Sequence, residues 1–124
     1  MLEQQLIDGF RKVFENPDRQ PIVALSYETD VMPFLSEPHR LMYMSHTGTS
    51  IPDAISKFKL PKSIDSLLID VSYAPSFKDK FSDVRAISEM VTLSVDKSFD
   101  CLWGLCRDLG QKEPVTVRLF IKTK

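Results

Sequence analysis

The strongest local signals in this sequence lie between residues 84 and 122, which read VRAISEMVTLSV over 84–95, DKSFDCLWGLCRDLG over 96–110 and PVTVRLFIK over 114–122. The first piece places Ile87, Val91, Leu93 and Val95 on one side of a strand. In the second, apolar residues recur at helical spacing after an Asp96 or Ser98 cap, and Gly110 is a typical helix stop. The third alternates apolar and polar residues. The stretch therefore predicts strand, helix and strand, with the helix ending near Leu109.

The rest of the chain extends this pattern. Periodicity predicts an amphipathic helix over 2–15, strands over 22–29, 40–46 and 67–73, and a short helix over 51–58 that begins in a capping box. The predicted order is α-β-β-α-β-β-α-β. Because the helices do not alternate strictly with strands, we expect an α+β fold with a mixed or antiparallel five-stranded sheet and three helices, largely on one face.

Size and composition are those of an ordinary globular domain. The 124 residues are 43% hydrophobic and 27% charged, with a formal charge of −1, so we expect one domain over residues 1–124 and no polyanion partner from bulk charge. The N-terminus lacks the basic and apolar regions of a signal peptide, and no apolar run approaches the roughly 20 residues that span a bilayer. We therefore expect a cytoplasmic protein that does not associate with membranes.

The favoured functional hypothesis is a non-enzymatic protein that docks on or masks another protein, as inhibitors, immunity proteins and adaptors do. Two loops, over 31–38 and 75–83, carry apolar residues beside prolines or charges, which is typical of a contact surface with an anchor and a charged rim. The predicted contact residues are Met32, Phe34, Leu35, Phe77 and Phe81.

A second hypothesis is a small-ligand or nucleotide site at the turn over 45–50. This segment offers hydroxyls, an imidazole and a helix start to an anion, and its candidate residues are His46, Thr47, Thr49 and Ser50. The turn has a single glycine, where phosphate loops have several together with a lysine. Enzymatic activity is therefore left open, although a non-enzymatic role is favoured.

A third hypothesis is nucleic-acid binding through the outer face of the last strand. Arg118, Phe120 and Lys122 alternate there, as cations and aromatic rings do in sheet-based binders. The near-neutral charge and the lack of an aromatic consensus weigh against it.

The sequence predicts no metal site and no cofactor. His39 and His46 are seven residues apart and no ligand pair has close spacing, while Cys106 is expected to be an inert packing thiol. An exposed edge strand, together with Met32, Met42 and Met44, would allow a homodimer.

Overall fold

The structure is a computed structural model that describes residues 4–36, 41–61, 63–78, 85–89 and 100–123. Its helices are α1 (Gln4–Phe14), α2 (Met32–Leu35) and α3 (Ile51–Ile55), with a π-helical turn over Tyr27–Val31 directly before α2. Residues 85–89 are also helical. The strands are β1 (Arg19–Val23), β2 (Leu41–Gly48), β3 (Ile64–Tyr73), β4 (Asp100–Asp108) and β5 (Val115–Thr123).

All five strands belong to one mixed sheet in the order β1-β4-β3-β5-β2. β3 and β4 are parallel, and the other three pairings are antiparallel. The sheet confirms the predicted single α+β domain with five strands. None of the helices in the described ranges has the length and apolarity that crossing a membrane requires.

Both faces of the sheet are covered, because side chains along a strand point alternately to opposite sides. On the face that we call the α3 face, Leu67, Ile69 and Val71 of β3 pack with Ile51 and Ala54 around α3. On the opposite face, called the α1 face, Leu68 of β3 and Phe120 of β5 pack under the first two helices. The expectation that helices lie largely on one face was therefore wrong.

The α1 face is apolar where α1 covers it. The Phe10 ring meets Phe120 edge-on at 4.7 Å between centroids, and Tyr43 lies 5.0 Å from Phe120. Aromatic pairs in this geometry stabilise a core beyond the area that they bury. After α1, the Asn16 side-chain oxygen accepts a hydrogen bond from the Asp18 backbone N–H at 2.9 Å, a turn that leads the chain into β1.

Within residues 84–110, the predicted strand is a helix and the predicted helix is a strand wherever the structure describes them. Residues 85–89 are helical, with Ile87 buried and an ion pair of 3.3 Å between Arg85 and Glu89 one turn apart. Residues 100–108, predicted as helix, form β4. The helix predicted over 96–109 was wrong there because nearly every residue of 101–106 is apolar, so that the periods of helix and strand cannot be distinguished.

Other boundaries moved by smaller amounts. The strand predicted over 22–29 is β1 at Arg19–Val23, and the proline-containing segment predicted as a loop holds the π-helical turn and α2. Consequently, the predicted element order was wrong at three places: helical turns separate β1 from β2, the helix over 85–89 lies between β3 and β4, and β4 and β5 follow each other without a helix between them. Residues 90–99, the rest of the predicted strand and the helix start, lie outside the described residues.

Candidate functional site

The two edge strands of the sheet differ in length and regularity. β1 has five residues, contains Pro21 and shifts register between Pro21 and Val23. β2 has eight residues that pair with β5 without interruption. Prolines, bulges and short length protect a sheet edge from pairing with another chain, and β2 has none of these features. Among the described strands, none pairs with the outer side of β2.

β2 itself contains no lysine, arginine or acidic residue, but the Lys57 ammonium donates to the Thr47 backbone carbonyl at 2.6 Å near the end of the strand. Met42 is 44% exposed, and Ser45 and Thr47 are exposed on the opposite face. His46 is half-buried, with its ring edge-on to Phe58 at 4.6 Å. The part of β2 before Thr47 has no charged residue of its own and can accept another strand through its backbone groups.

Beyond the aromatic cluster, the α1 face becomes polar in two rows that cross the sheet. One row runs through Ser45, Arg118, Asp70 and Gly104, which are partners in successive strand pairs. The other row contains Thr47, Thr116, Ser72, Cys106 and Pro21. Polar groups on a sheet face near a core require partners, because an unpaired buried polar group is costly.

Asp70 is the centre of this polar region. Its side chain is 2% exposed and accepts bonds from two guanidinium groups, Arg19 Nη2 at 2.5 Å and Arg118 Nη1 at 3.3 Å. The Arg118 nitrogen also lies 3.5 Å from the Ser72 hydroxyl, which donates to Gln111 Oε1 at 2.5 Å. Two guanidinium groups thus pair with one buried carboxylate, so the three charged groups together carry a net charge of +1.

The Arg19 side chain is 9% exposed and reaches over β4. Its Nε donates to Cys106 Sγ at 3.1 Å, and its guanidinium carbon lies 5.1 Å from the centroid of the Phe14 ring. Burial, the largest single effect, lowers the pKa of Arg19, but the charges and hydrogen bonds of Asp70 and Cys106 together outweigh it, and the net pKa is raised. Arg19 therefore keeps its charge.

Burial also raises the pKa of the Cys106 thiol, and the neighbouring Arg19 offsets this only in part. Cys106 is buried at 5% exposure. A protonated, buried thiol is a weak nucleophile, which agrees with the expectation of an inert packing cysteine.

A cavity of about 190 Å³ opens beside this cluster. Its lining is formed by the end of α1, by β1 with the residues that follow it, and by the middle of β4. The lining residues are Phe14, Arg19, Pro21, Val23, Ala24, Leu25, Asp70, Gly104, Leu105 and Cys106.

The structure does not bring the predicted partner-binding residues together. Phe34 and Leu35 are buried in the core at 6% and 4% exposure, whereas Met32 is 50% exposed. Phe77 is half-buried and stacks on Tyr73 at 4.7 Å, on the α3 face and hence opposite to Phe34. Phe81 lies outside the described residues.

The predicted ligand residues are also separated. His46 and Thr47 point to opposite faces of β2, because they are adjacent in a strand. Ser50 caps α3 by accepting from the Asp53 backbone N–H at 3.2 Å, and the Thr49 N–H donates to Asp53 Oδ2 at 3.0 Å. The hydroxyls of this turn therefore serve the start of α3, as its capping-box pattern indicates.

The predicted nucleic-acid stripe is occupied by contacts within the protein. Arg118 bonds Asp70, and Phe120 is completely buried. Lys122 Nζ lies 4.9 Å from the centroid of the Phe34 ring. Phe120 is consequently unavailable as a stacking platform in this state.

Sequence reasoning missed Arg19 and Asp70, the pair around which the polar region is built. Asp70 did carry a signal, since a carboxylate in the middle of the apolar strand 67–73 requires a buried partner. Gly104 carried another, because a glycine inside an apolar run often marks a close approach. No sequence pattern around Arg19 indicated that it pairs with a buried acid.

No protein-family model and no curated protein matches this chain. Among solved structures, "FtsZ dimer, empty" from M. jannaschii is 16% identical with a TM-score of 0.58, over 94% of this chain and 35% of its own. Two structures of E. coli HypE, one titled as a hydrogenase maturation protein, are 12% and 14% identical with TM-scores of 0.37 and 0.38, each over 98% of this chain and 43% of its own. The chain thus spans about a third of the FtsZ chain that it resembles, and that likeness shows a shared fold alone.

Proposed function

We propose that this chain is a protein-docking domain that accepts an extended strand of a partner along the outer side of β2. The observation that carries the proposal is the edge itself: its eight residues are in continuous register and include no lysine, arginine, acid or proline, and no described strand pairs with its outer side. Near its end, the Thr47 carbonyl is bonded by a lysine, Lys57. Strand addition uses the backbone groups of such an edge for affinity and the alternating side chains for specificity.

The contrast with β1 supports β2 as the docking edge. Pro21 and the register shift make β1 a poor template, because a missing N–H and a local twist interrupt a new ladder. A domain with one protected edge and one open edge would accept a single strand, whereas two open edges would favour extended aggregates.

The side chains of β2 indicate the chemistry of the partner segment. Met42 and Met44 lie on the α3 face of the edge, and Tyr43 and Ser45 lie on the α1 face. A partner strand next to them would match with apolar residues on the first side and with aromatic or hydroxyl side chains on the second. We therefore propose an extended, uncharged segment of up to eight residues, and methionine suits such a contact because its side chain adapts.

This surface differs from the predicted loops, of which only Met32 presents a large exposed apolar side chain among the described residues. We therefore keep the docking hypothesis but assign the contact surface to β2 instead of to the loops.

The experiment compares two lysine substitutions of equally exposed methionines. Met42→Lys places a charge on the docking edge, and Met32→Lys is the matched control on α2, the two wild-type side chains being 44% and 50% exposed. A photoreactive amino acid at Ser45 in the native cell should crosslink a partner that is lost with Met42→Lys and kept with Met32→Lys. In addition, hydrogen exchange of the recovered complex should show protection of the β2 amides.

Two outcomes would contradict the proposal. If Met42→Lys did not abolish the crosslink, the partner would contact a surface other than this edge of β2. Crosslinks only to a second copy of this chain, with sedimentation velocity showing a dimer that Met42→Lys dissociates, would make β2 a homodimer edge instead.

A further inference from the structure

The cavity beside Arg19 combines the buried Arg19–Asp70 ion pair with apolar walls. Arg19, Asp70 and Cys106 supply its polar atoms, and Phe14, Val23 and Leu25 are among its apolar lining. We propose that it binds a small organic acid, whose carboxylate meets Arg19 and whose hydrocarbon part packs against the apolar walls. The proposal goes beyond the docking function, because it concerns the opposite edge of the sheet.

The charge of the cluster favours an anionic ligand. Two guanidinium groups face one carboxylate, so the cluster carries a net positive charge with Cys106 in its neutral form. The nearest further acid along β4, Asp108, is absent from the cavity lining and accepts a bond from the Gly110 backbone N–H at 2.9 Å. Because Arg19 shares the Asp70 carboxylate with Arg118, its charge is only partly compensated, and a bound carboxylate would complete the compensation.

Arg19 has donors left for such a ligand. A guanidinium has five N–H groups. Within the described residues, Arg19 donates to Cys106 and Asp70 and approaches the Val13 carbonyl at 3.5 Å, which leaves two N–H groups for a carboxylate. Hydrogen bonds between charged groups of this kind are about twice as strong as neutral ones.

Shape limits the ligand to a small molecule. An apolar cavity of roughly 150 Å³ can hold benzene, so about 190 Å³ has room for a ring or a short chain with one carboxylate. Gly104 belongs to this design, because a Cβ at that position would meet Leu25 Cγ at 2.5 Å and would displace part of the wall. A nucleotide would be too large for this volume.

The test is an NMR titration of the whole, isotope-labelled chain with sodium benzoate, with benzamide as the matched neutral probe and inorganic phosphate as the anion without a hydrocarbon part. Benzoate should shift the amides of Leu25, Gly104 and Cys106 saturably, with a dissociation constant on the order of 1 mM, as expected for a ligand of this size. Benzamide and phosphate should each bind at least about tenfold more weakly.

Variants locate the site. Arg19→Met should weaken benzoate binding at least about tenfold, and Arg11→Met, which removes an exposed arginine from α1, should leave it unchanged. Should Arg19→Met fail to fold, Ala24→Trp tests the same cavity: Ala24 is exposed at its rim, and the larger ring should exclude benzoate while the charges remain.

Three results would overturn the proposal. The first is the absence of saturable shifts at the lining residues of the wild-type chain. The second is equal binding of benzamide and benzoate, which would remove the role of charge. The third is phosphate binding as tight as that of benzoate, which would make the site a general anion site. The docking proposal would be unaffected by any of these, since it depends on β2.

Discussion

Arg19 and Asp70 are bonded at 2.5 Å although 51 positions separate them in sequence and a whole strand, β4, lies between theirs in the sheet. The arginine crosses that strand where β4 has small side chains, Gly104 and Cys106, and it bonds the Cys106 sulfur on the way. One side chain therefore connects an edge strand to the middle of the sheet.

Removing the carboxylate should destabilise the protein strongly. Asp70→Ala leaves two guanidinium groups facing each other in a buried site, and we expect a loss of about 3 to 5 kcal/mol in the free energy of unfolding, measured with urea. Glu89→Ala, which breaks an exposed ion pair with Arg85, should have no measurable effect. Equal effects of the two substitutions would contradict the central role of Asp70.

Stability should fall as pH rises through the range in which thiols ionise. Burial raises the pKa of Cys106 in the folded state, so the unfolded thiol ionises first and draws the equilibrium toward unfolding above about pH 8.5. The contribution of Cys106 is fully present below that pH and is lost progressively above it. Urea unfolding between about pH 7 and pH 9 should show this slope, and the slope should be smaller in Cys106→Ala but not in Cys101→Ala. An unchanged slope in Cys106→Ala would assign it to other groups.

Phe120→Ala should act on folding rather than on ligand binding. The ring is completely buried and contacts Phe10 and Tyr43, so its removal should cost about 3 to 5 kcal/mol of unfolding free energy. Phe58→Ala should cost less, because Phe58 is half-buried. If the last strand were an open nucleic-acid platform, the Phe120→Ala protein would keep its stability and lose binding to single-stranded RNA. A fluorescence titration with single-stranded RNA would detect that outcome.

Gly104→Ala should destabilise the sheet through one neighbour. The added Cβ would meet Leu25 Cγ at 2.5 Å, and forcing that side chain to move should cost about 1 to 3 kcal/mol. Because the clash is with a side chain, Leu25→Ala should recover part of the loss in a double-mutant cycle. Additive effects of the two substitutions would mean that Gly104 is required for its backbone instead.

The fold class could be predicted from local patterns because several elements have clear periods. Val115, Val117, Leu119 and Ile121 recur at every second position of β5, and β3, at Ile64–Tyr73, contains the apolar strand predicted over 67–73. β4 was mistaken for a helix because its central residues, Cys101 to Cys106, are almost all apolar and fit both periods. It lies inside the sheet with helices on both faces, which is where a strand loses its alternation.

The site was less predictable than the fold. Pairing Arg19 with Asp70 requires the strand order, and no local pattern contains it. Phe34 and Leu35 were predicted as contact residues of a proline-containing loop, whereas a short helix turns both into the core. The edge position of β2 follows from topology in the same way.

The strand order also constrains how the chain acquires its structure. β1 pairs only with β4 in the described sheet, and Arg19 bonds Cys106 across 87 positions, so β1 cannot take its place in the sheet until β4 exists. Contacts between such distant residues slow folding, because a long loop must close before they form. During translation, β1 would therefore emerge well before β4, and its ladder of backbone hydrogen bonds could form only after β4 had been synthesised.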